Sequence, residues 1–173
     1  MSIQRGSPCA AEVKIREFQP GDEESFRTLN EEWITRYFRI ETKEKQILAD
    51  PKGTILDPGG KIFFAIADER RVGCCALRRM SDREYEVAKM AVTLAFQGMG
   101  VGRKLLLSVL EAGRNLGARR LYLETNHSLT PAIRLYESVG FRHIPPLRVT
   151  PSDYARADVY MEMFLDRPPS LRR

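Results

Sequence analysis

A glycine-rich turn between an apolar strand and a long amphipathic helix constrains the fold more than any other segment of this chain. The turn consists of Gly98-Met99-Gly100-Val101-Gly102. A strand, a glycine turn and a helix in this order direct several backbone N–H groups to one point, and the helix dipole adds positive potential there. Glycine is needed because a Cβ atom would block the close approach of a ligand to the backbone. The turn therefore predicts an anion site, most naturally for a phosphate or pyrophosphate.

Two other phosphate-binding motifs do not fit this turn. A P-loop requires Gly-x-x-x-x-Gly-Lys-Ser/Thr, and both the spacing and the hydroxyl are missing between Gly98 and Lys104. The dinucleotide fingerprint Gly-x-Gly-x-x-Gly requires its third glycine one residue after Gly102. Arg103 and Lys104 place cations in the first helical turn, where they oppose the helix dipole. A bound anion would remove that conflict, and the alternative is a tight turn with two solvated basic side chains.

The rest of the chain predicts an α+β domain with a mixed sheet. Strands are predicted at 13–18, 61–67, 72–78, 84–93, 119–125, 141–144 and 157–165. Helices are predicted after Asp22 as N-cap, at 43–49, from the glycine turn to about Leu116, and from Thr130-Pro131 to Gly140. Short polar turns make the strands between 61 and 93 an antiparallel meander, and the glycine turn then begins a βαβ crossover. One domain is expected over residues 12–165, with flexible ends at 1–11 and 166–173.

Composition and cysteine usage restrict the class of protein. The 173 residues carry a formal net charge of +5, with 43% hydrophobic and 29% charged residues, as in ordinary globular proteins. No apolar run approaches the ~20 residues that span a bilayer, and residues 1–11 lack the apolar core of a secretory signal. The chain has three cysteines, and two of them, Cys74 and Cys75, are adjacent and point to opposite faces of a strand, which excludes a disulfide scaffold. The low, odd number of cysteines indicates a reducing, cytoplasmic location. His127 and His143 lack metal-ligand spacing, and the scattered Lys and Arg residues form no basic face for nucleic acid.

Two sequence signatures resemble those of the GNAT N-acetyltransferase superfamily. The first, Gln97-Gly98-Met99-Gly100-Val101-Gly102, resembles the acetyl-CoA loop Gln/Arg-x-x-Gly-x-Gly/Ala, and Ala91-Val92 matches its usual lead-in. The second, Ala132-Ile133-Arg134-Leu135-Tyr136-Glu137-Ser138-Val139-Gly140-Phe141, resembles Ala-x-x-Leu-Tyr-x-x-x-Gly-Phe. The two signatures stand in the expected order, separated by one predicted helix and one predicted strand. The resemblance covers residues 61–165, and the N-terminal strand and helices also fit it.

This resemblance implies a mixed sheet that is splayed into a V and flanked by helices, with acetyl-CoA bound in the V between the strands that end near Thr93 and Thr125. Backbone around Met90 would pair with the pantetheine, and amides of the glycine turn would hold the pyrophosphate. The implied cofactor contacts are Met90, Ala91, Val92, Gln97, Gly98, Met99, Gly100, Val101, Gly102, Arg103, Lys104, Asn126 and Tyr136. Many family members have asparagine three residues before the second signature; this chain has Leu129, and Asn126 is the candidate to replace that asparagine.

Three residues are candidates for the acid–base chemistry that amine acetylation requires. Glu86 is the first candidate for the base, because an apolar strand face raises the pKa of a carboxylate; the histone-acetylating branch of the family resembles this chain in having a catalytic glutamate there. Glu124 is a second candidate for the base or for binding the substrate ammonium. The resemblance places the Tyr136 hydroxyl near the cofactor sulfur as the acid. The alternatives are glutamates solvated at strand ends, a Glu86 ion pair with Lys89 or Arg83, and a Tyr136 that serves packing.

The acceptor amine is expected between the first helix and the loop before the last strand, which form the walls of the substrate cleft in the family. The candidate acceptor-binding residues are Asn30, Trp33, Tyr37, Tyr154 and Arg156. Arg156 could bind a substrate carboxylate, as in an amino acid or peptide. The alternatives are a Trp33 in the core and an Arg156 exposed to solvent.

The leading interpretation is an acetyl-CoA-dependent N-acetyltransferase without a metal, acting by direct attack of a primary amine of a small molecule or amino acid. A protein acetyltransferase for lysine or N-terminal amines is an alternative and would need a longer open groove. Another is a non-catalytic acyl-CoA sensor, which would keep the glycine turn without a functional base. A nucleic-acid binder ranks last. Because family members often pair, a homodimer is also considered, although no segment identifies an interface.

Overall fold

One mixed sheet forms the centre of the structure, a computed structural model that describes residues 11–165. Its strands are β1 (Lys14–Glu17), β2 (Lys61–Ala67), β3 (Arg70–Ser81), β4 (Glu84–Val92), β5 (Arg120–Thr125), β6 (Arg142–His143) and β7 (Val159–Phe164). The helices are α1 (Glu23–Tyr37), α2 (Thr42–Ala49), α3 (Val101–Asn115) and α4 (Thr130–Val139), with short helical turns at Lys52–Leu56, Leu94–Phe96 and Pro146–Arg148. The two ends predicted to be flexible lie outside the described residues, apart from residue 11.

The strand order produces a split in the middle of the sheet. The order is β1-β2-β3-β4-β5-β7-β6. β4 and β5 are parallel because α3 crosses between them, and the other neighbouring pairs are antiparallel. β4 and β5 pair only where Glu84, Tyr85 and Glu86 face residues 120–122, and beyond these residues the two strands separate. The α+β class and the mixed, V-shaped sheet predicted from the sequence are therefore confirmed.

Two apolar cores lie on opposite faces of the sheet. The core under α3 and α4 contains Leu105 and Cys75, both fully buried. The core under α1 and α2 contains Phe26 and Cys74, also fully buried. The adjacent cysteines therefore point to opposite faces of β3, as predicted. Burial raises the pKa of Cys74 to about 12 and raises that of Cys75 as well, so both remain thiols that serve packing.

Several strands begin or end at residues other than the predicted ones, and local backbone geometry explains the differences. Asp68 and Glu69 both have positive φ, 46° and 63°, which is the geometry of a two-residue hairpin turn. β3 therefore begins at Arg70, two residues before the predicted start. β6 is only two residues long, because Pro145 and Pro146 follow it and proline cannot donate to a strand ladder.

Asp22 precedes α1 as predicted, but its side chain does not cap the helix. Its carboxylate instead accepts hydrogen bonds from Arg16 Nη1 at 2.6 Å, Arg71 Nε at 3.0 Å and the Gln19 amide at 2.9 Å. Burial alone would raise the pKa of Asp22, but these donors outweigh it and hold the pKa below its ordinary value. Because Arg16 lies on β1 and Arg71 on β3, Asp22 fastens the start of α1 to both strands.

Asp22→Asn is expected to lower the free energy of unfolding by about 2–3 kcal/mol at neutral pH, because a buried anion with two arginine partners is lost. A lowered pKa stabilises the fold while the carboxylate is ionised, so the difference from wild type should disappear as the pH falls through that pKa. Urea unfolding at neutral and acid pH measures both effects. Asp82→Asn is the control, since Asp82 is exposed and lies 3.7 Å from Arg79; equal losses in the two variants would contradict the anchoring role.

Candidate active site

A cavity opens where β4 and β5 separate. β4 contributes residues 86–90, and β5 with the loop after it contributes 124–126. Trp33 of α1 and Tyr136 of α4 are also in the lining, and the loop before β7 closes the remaining side with residues 154, 156 and 157. Predicted acceptor residues and three of the predicted cofactor contacts, Met90, Asn126 and Tyr136, therefore line one space.

Glu86 lies in this cavity, in the last residue pair that β4 makes with β5. Its Oε2 accepts hydrogen bonds from Arg78 Nε at 2.9 Å and Arg78 Nη2 at 2.6 Å. Its Oε1 has no partner within residues 11–165. Since every buried side-chain oxygen there has a partner, Oε1 is accessible from the space that Glu86 lines, which comprises this cavity and a neighbouring groove. Burial raises the pKa of Glu86, while the positive charge of Arg78 acts against that shift and the charge of Glu124 adds to it. The ion-pair partner is thus Arg78, not Lys89 or Arg83.

Glu124 also lines the cavity, but each of its oxygens already accepts a hydrogen bond. Tyr122 Oη donates to Oε1 at 2.9 Å, and Ser152 Oγ donates to Oε2. Ser152 Oγ in turn accepts a hydrogen bond from the Tyr154 amide at 3.0 Å. Glu124 therefore anchors the loop before β7, and of the two predicted bases the geometry favours Glu86.

The position of Tyr136 is compatible with both roles that the sequence left open. Its ring is buried and contacts Phe141 edge-on, with 6.1 Å between the ring centroids. Its hydroxyl has no partner among the described residues, and because no buried oxygen there is unpaired, the hydroxyl is open to the cavity. Burial raises the pKa of the phenol, so it keeps its proton at neutral pH.

The glycine turn leaves an array of backbone amides open at the start of α3. Gly98 and Gly100 have φ values of 74° and 78°, in the left-handed region that favours glycine. A Cβ atom at either position would meet no atom of the described chain within 4 Å. The first amide that bonds back into the helix is that of Lys104, which donates to the Gly100 carbonyl at 3.1 Å; the amides of residues 98–103 have no carbonyl acceptor among the described residues. This array fits the phosphate groups of an anionic ligand.

The polar side chains beside the turn bind other protein atoms. Arg103 Nη1 donates to Ser138 Oγ at 2.9 Å, and Lys104 Nζ donates to a main-chain carbonyl before β1 at 3.3 Å. Both side chains therefore have an acceptor on the protein itself, and their contact with the cofactor stays a prediction. Gln97 Nε2 donates to the Val92 carbonyl at 2.9 Å, so the last carbonyl of β4 has a hydrogen-bond partner.

β4 has a bulge beside the cavity at Lys89 and Met90. The register between β3 and β4 shifts there, and Lys89 has a φ of 53°. A bulge leaves backbone groups unpaired with the neighbouring strand, and a positive φ at a residue with a side chain is strained. The irregular backbone thus lies at the start of the 90–92 segment for which the resemblance implies pantetheine pairing.

A buried ion cluster that sequence reasoning missed lies at the same cavity. Glu44 of α2 is fully buried; its Oε1 accepts hydrogen bonds from Lys89 Nζ at 2.7 Å and Arg156 Nη2 at 2.6 Å, and its Oε2 accepts from Arg156 Nη1 at 2.9 Å. Burial lowers the pKa of Lys89, and Glu44 opposes that shift. Burial would raise the pKa of Glu44, but Arg156 and Lys89 outweigh it and hold the pKa below its ordinary value. Nothing in the local sequence distinguishes Glu44, since its partners are 45 and 112 residues away.

Four of the five predicted acceptor residues line the cavity, namely Asn30, Trp33, Tyr154 and Arg156. Tyr37 is not in that lining, and its contact with the acceptor stays a prediction. Tyr37 is the last residue of α1, one helical turn beyond Trp33, and its half-exposed ring lies 5.6 Å from the Trp33 ring outside the cavity. Phe38, which was not predicted, lines the cavity instead.

Asn126 and Leu129 lie at the β5 side of the cavity. Asn126 Nδ2 donates to the Arg156 carbonyl at 2.7 Å, and Oδ1 accepts from the Ser128 amide at 2.9 Å. The Asn126 side chain therefore shapes the two loops that flank the cavity.

His127 pairs with Asp158. Within residues 11–165, no three His, Cys, Asp or Glu side chains come together as a metal site. The described helices include none that is both long and apolar enough to cross a membrane.

Comparison with known proteins shows which family the chain belongs to. The sequence model of the acetyltransferase (GNAT) family matches residues 22–141. The uncharacterized N-acetyltransferase YjgM of Escherichia coli (strain K12) is 32% identical over 126 residues, which are 64% of this chain and 75% of YjgM. A GNAT-family acetyltransferase of Staphylococcus aureus Mu50 superposes with a TM-score of 0.80 at 21% identity, covering 89% of this chain and 99% of that one. The yncA protein of Salmonella typhimurium, solved with its cofactor acetyl-CoA, gives 0.72 at 20% identity, covering 91% and 96%. Because the family model matches more than half of its length, the chain belongs to the acetyltransferase (GNAT) family.

Proposed function

We propose that this protein transfers an acetyl group from acetyl-CoA to a primary amine of a small molecule or amino acid. The observation that carries the proposal is that one cavity is lined by both Glu86 and Tyr136, whose Oε1 and Oη atoms have no partner among the described residues. One is a carboxylate oxygen that can accept a proton, and the other is a phenol that can donate one. The cavity lies at the split of the sheet, between the acceptor wall and the groove that the family uses for its cofactor.

The residues of the chain fit acetyl-CoA. The open amides of residues 98–103 would hold the pyrophosphate, since helix N-termini bind such anions. The backbone from Met90 to Val92, next to the bulge, would pair with the pantetheine amides, and the cavity lining at Tyr136 would surround the thioester. Bound there, acetyl-CoA supplies the activated acetyl group.

The chain's own contribution to the reaction is proton transfer and positioning. Glu86 Oε1 accepts a proton from the acceptor ammonium, which leaves the nitrogen lone pair free to attack. Tyr136 Oη donates a proton to the departing sulfur and is reprotonated from solvent. Glu86 also lines a second, open groove with Arg78 and Arg120, so the proton on Oε1 can leave on that side. Arg78 fixes the Glu86 carboxylate without occupying Oε1.

Tyr136→Phe should lower kcat roughly tenfold. This loss is smaller than the full contribution of a general acid, because the thiolate of coenzyme A is a stable leaving group even without a proton donor. The free energy of unfolding should change by less than about 0.5 kcal/mol, since the hydroxyl has no protein partner to lose. Thiol release and urea unfolding measure the two quantities. A stable variant with wild-type kcat would show that Tyr136 only packs against Phe141.

Calorimetric titration with acetyl-CoA, followed by thiol release against a panel of amines, tests the function as a whole. Binding with turnover supports the proposal. Binding without turnover on any amine would favour the acyl-CoA sensor, and turnover only on peptides would favour the protein acetyltransferase. No binding would overturn the proposal. A cytoplasmic location, the absence of nucleic-acid and membrane partners, and the pairing of two copies stay predictions.

A further inference from the structure

We propose that Lys89 and Arg156, held together by Glu44, form a subsite for a carboxylate on the acceptor. The preferred acceptors would then be amines that carry a carboxylate close to the amine, with a free amino acid as the simplest case. This inference rests on the proposed function, because it assigns the substrate class of the same cavity.

The first support is the number of donors that the cluster leaves unused. Lys89 Nζ has three N–H groups; one donates to Glu44, and the nearest further acceptor is Tyr154 Oη at 3.5 Å. Arg156 has five N–H groups, and its guanidinium donates two hydrogen bonds to Glu44. Both cations bond to Glu44 Oε1, so their nitrogens lie within two hydrogen-bond lengths of each other. One carboxylate is therefore small enough to be shared by both.

The second support is charge. The cluster contains two cations and one carboxylate, so it has one surplus positive charge at the edge of the cavity. Its members are poorly hydrated: the Glu44 side chain is fully buried, that of Lys89 is 8% exposed and that of Arg156 is 19% exposed. A surplus charge with little water around it is stabilised by a ligand of opposite sign.

The third support is the arrangement of the opposite charges in the same cavity. Glu86 and Glu124 line it together with Lys89 and Arg156. Glu86 is balanced by Arg78, whereas the partners of Glu124 among the described residues are the hydroxyls of Tyr122 and Ser152. The cavity thus offers negative charge where the acceptor amine must lie and positive charge at the ion cluster, which complements a zwitterion better than a simple cation.

Tyr154 holds the two cations in place. Lys89 Nζ lies 4.9 Å and the Arg156 guanidinium carbon 5.0 Å from the centre of the Tyr154 ring. The Arg156 carbon also lies 5.6 Å from the ring of Phe38. These aromatic contacts limit the freedom of both side chains before a ligand arrives, so little ordering is needed on binding.

The test compares an amino acid, its amide and its decarboxylated amine as acceptors for wild type and Lys89→Met. Methionine removes the ammonium, keeps an unbranched chain and leaves Glu44 paired with Arg156. Wild type should have a kcat/KM for the amino acid about tenfold to a hundredfold above that for the amide, as expected for a charge-assisted hydrogen bond. Lys89→Met should remove that preference, so that kcat/KM for the amino acid falls to that for the amide and the amine measured with the same variant.

Lys43→Met is the matched control. Lys43 also lies over the Tyr154 ring, at 5.7 Å, but it pairs with Asp153 on the surface outside the cavity. Its loss removes the same charge beside the same ring and should leave the preference for the amino acid unchanged. Equal effects of the two variants, or a uniform loss on all three acceptors in Lys89→Met, would overturn the subsite.

Calorimetric binding of the amino acid separates this inference from the proposed function, because it needs no turnover. A protein that turns over no amine but binds the amino acid through Lys89 would uphold the subsite and overturn the enzymatic proposal. An enzyme that acetylates all three acceptors equally well would uphold the function and overturn the subsite.

Discussion

Glu86→Gln should lower kcat by about a hundredfold to ten-thousandfold, which is the contribution of a positioned general base. Glutamine has the size of glutamate and can accept a hydrogen bond from Arg78, but it cannot take the proton of the acceptor ammonium at the position of Oε1. Acetyl-CoA affinity should be unchanged, since the open amides at residues 98–103 are independent of Glu86. Thiol release and calorimetric titration of the same preparation measure the two quantities.

The pH dependence of wild type gives a second measure of the same role. A general base works only when deprotonated, so kcat/KM should fall as the pH falls through the pKa of Glu86. Burial raises that pKa, and the acid limb of the profile should therefore lie above the ordinary glutamate value of about 4.3. The limb should be absent from the residual activity of Glu86→Gln.

Glu124→Gln is the matched control, because Glu124 lines the same cavity. Its two oxygens already accept hydrogen bonds from Tyr122 and Ser152, so we expect a smaller loss in kcat and an acid limb that persists. If Glu124→Gln lost more activity than Glu86→Gln, or if the limb survived only in Glu86→Gln, the base would be Glu124.

Turns and helix ends could be predicted from the sequence at positions where a single glycine or proline determines the backbone geometry. The glycine turn, Pro131 at the start of α4 and the left-handed Gly140 at its end are examples. The V in the sheet was implied by the resemblance, and its physical cause is visible in the register, where β4 and β5 pair over only three residues. The start of β3 was misplaced because the positive φ values at Asp68 and Glu69 depend on the hairpin itself.

The candidate site was only partly predictable, because its electrostatics depend on residues that are distant in sequence. Glu86 could be singled out from its place on an apolar strand face, but the pairing with Arg78 that leaves Oε1 open required coordinates. Glu44 and Lys89 carried no local signal, since a glutamate on a polar helix and a lysine on a strand are ordinary surface residues. Only the fold brings them to Arg156, with Glu44 fully buried and the Lys89 and Arg156 side chains 8% and 19% exposed.

Gly100→Val should weaken acetyl-CoA binding by about tenfold to a hundredfold, the equivalent of one or two charge-assisted hydrogen bonds to phosphate. Gly100 has a φ of 78°, and valine is strained in that region. Apart from its chain neighbours, a Cβ at Gly100 would meet no atom within 4 Å, so the new side chain would enter open space at the turn. It would therefore act on the ligand and on the amide array, which calorimetric titration with acetyl-CoA measures.

Gly117→Val separates this effect from general destabilisation. Gly117 lies just past the other end of α3 with a φ of 73°, and a Cβ there likewise meets nothing within 4 Å. Both variants should lose about 1–2 kcal/mol of stability, the cost of a left-handed residue with a side chain. Only Gly100→Val should lose acetyl-CoA affinity, because only the N-terminal end of the helix dipole presents free N–H groups to an anion. Equal affinities in two folded variants would mean that the phosphates bind elsewhere, and the glycine turn would then be a structural element alone.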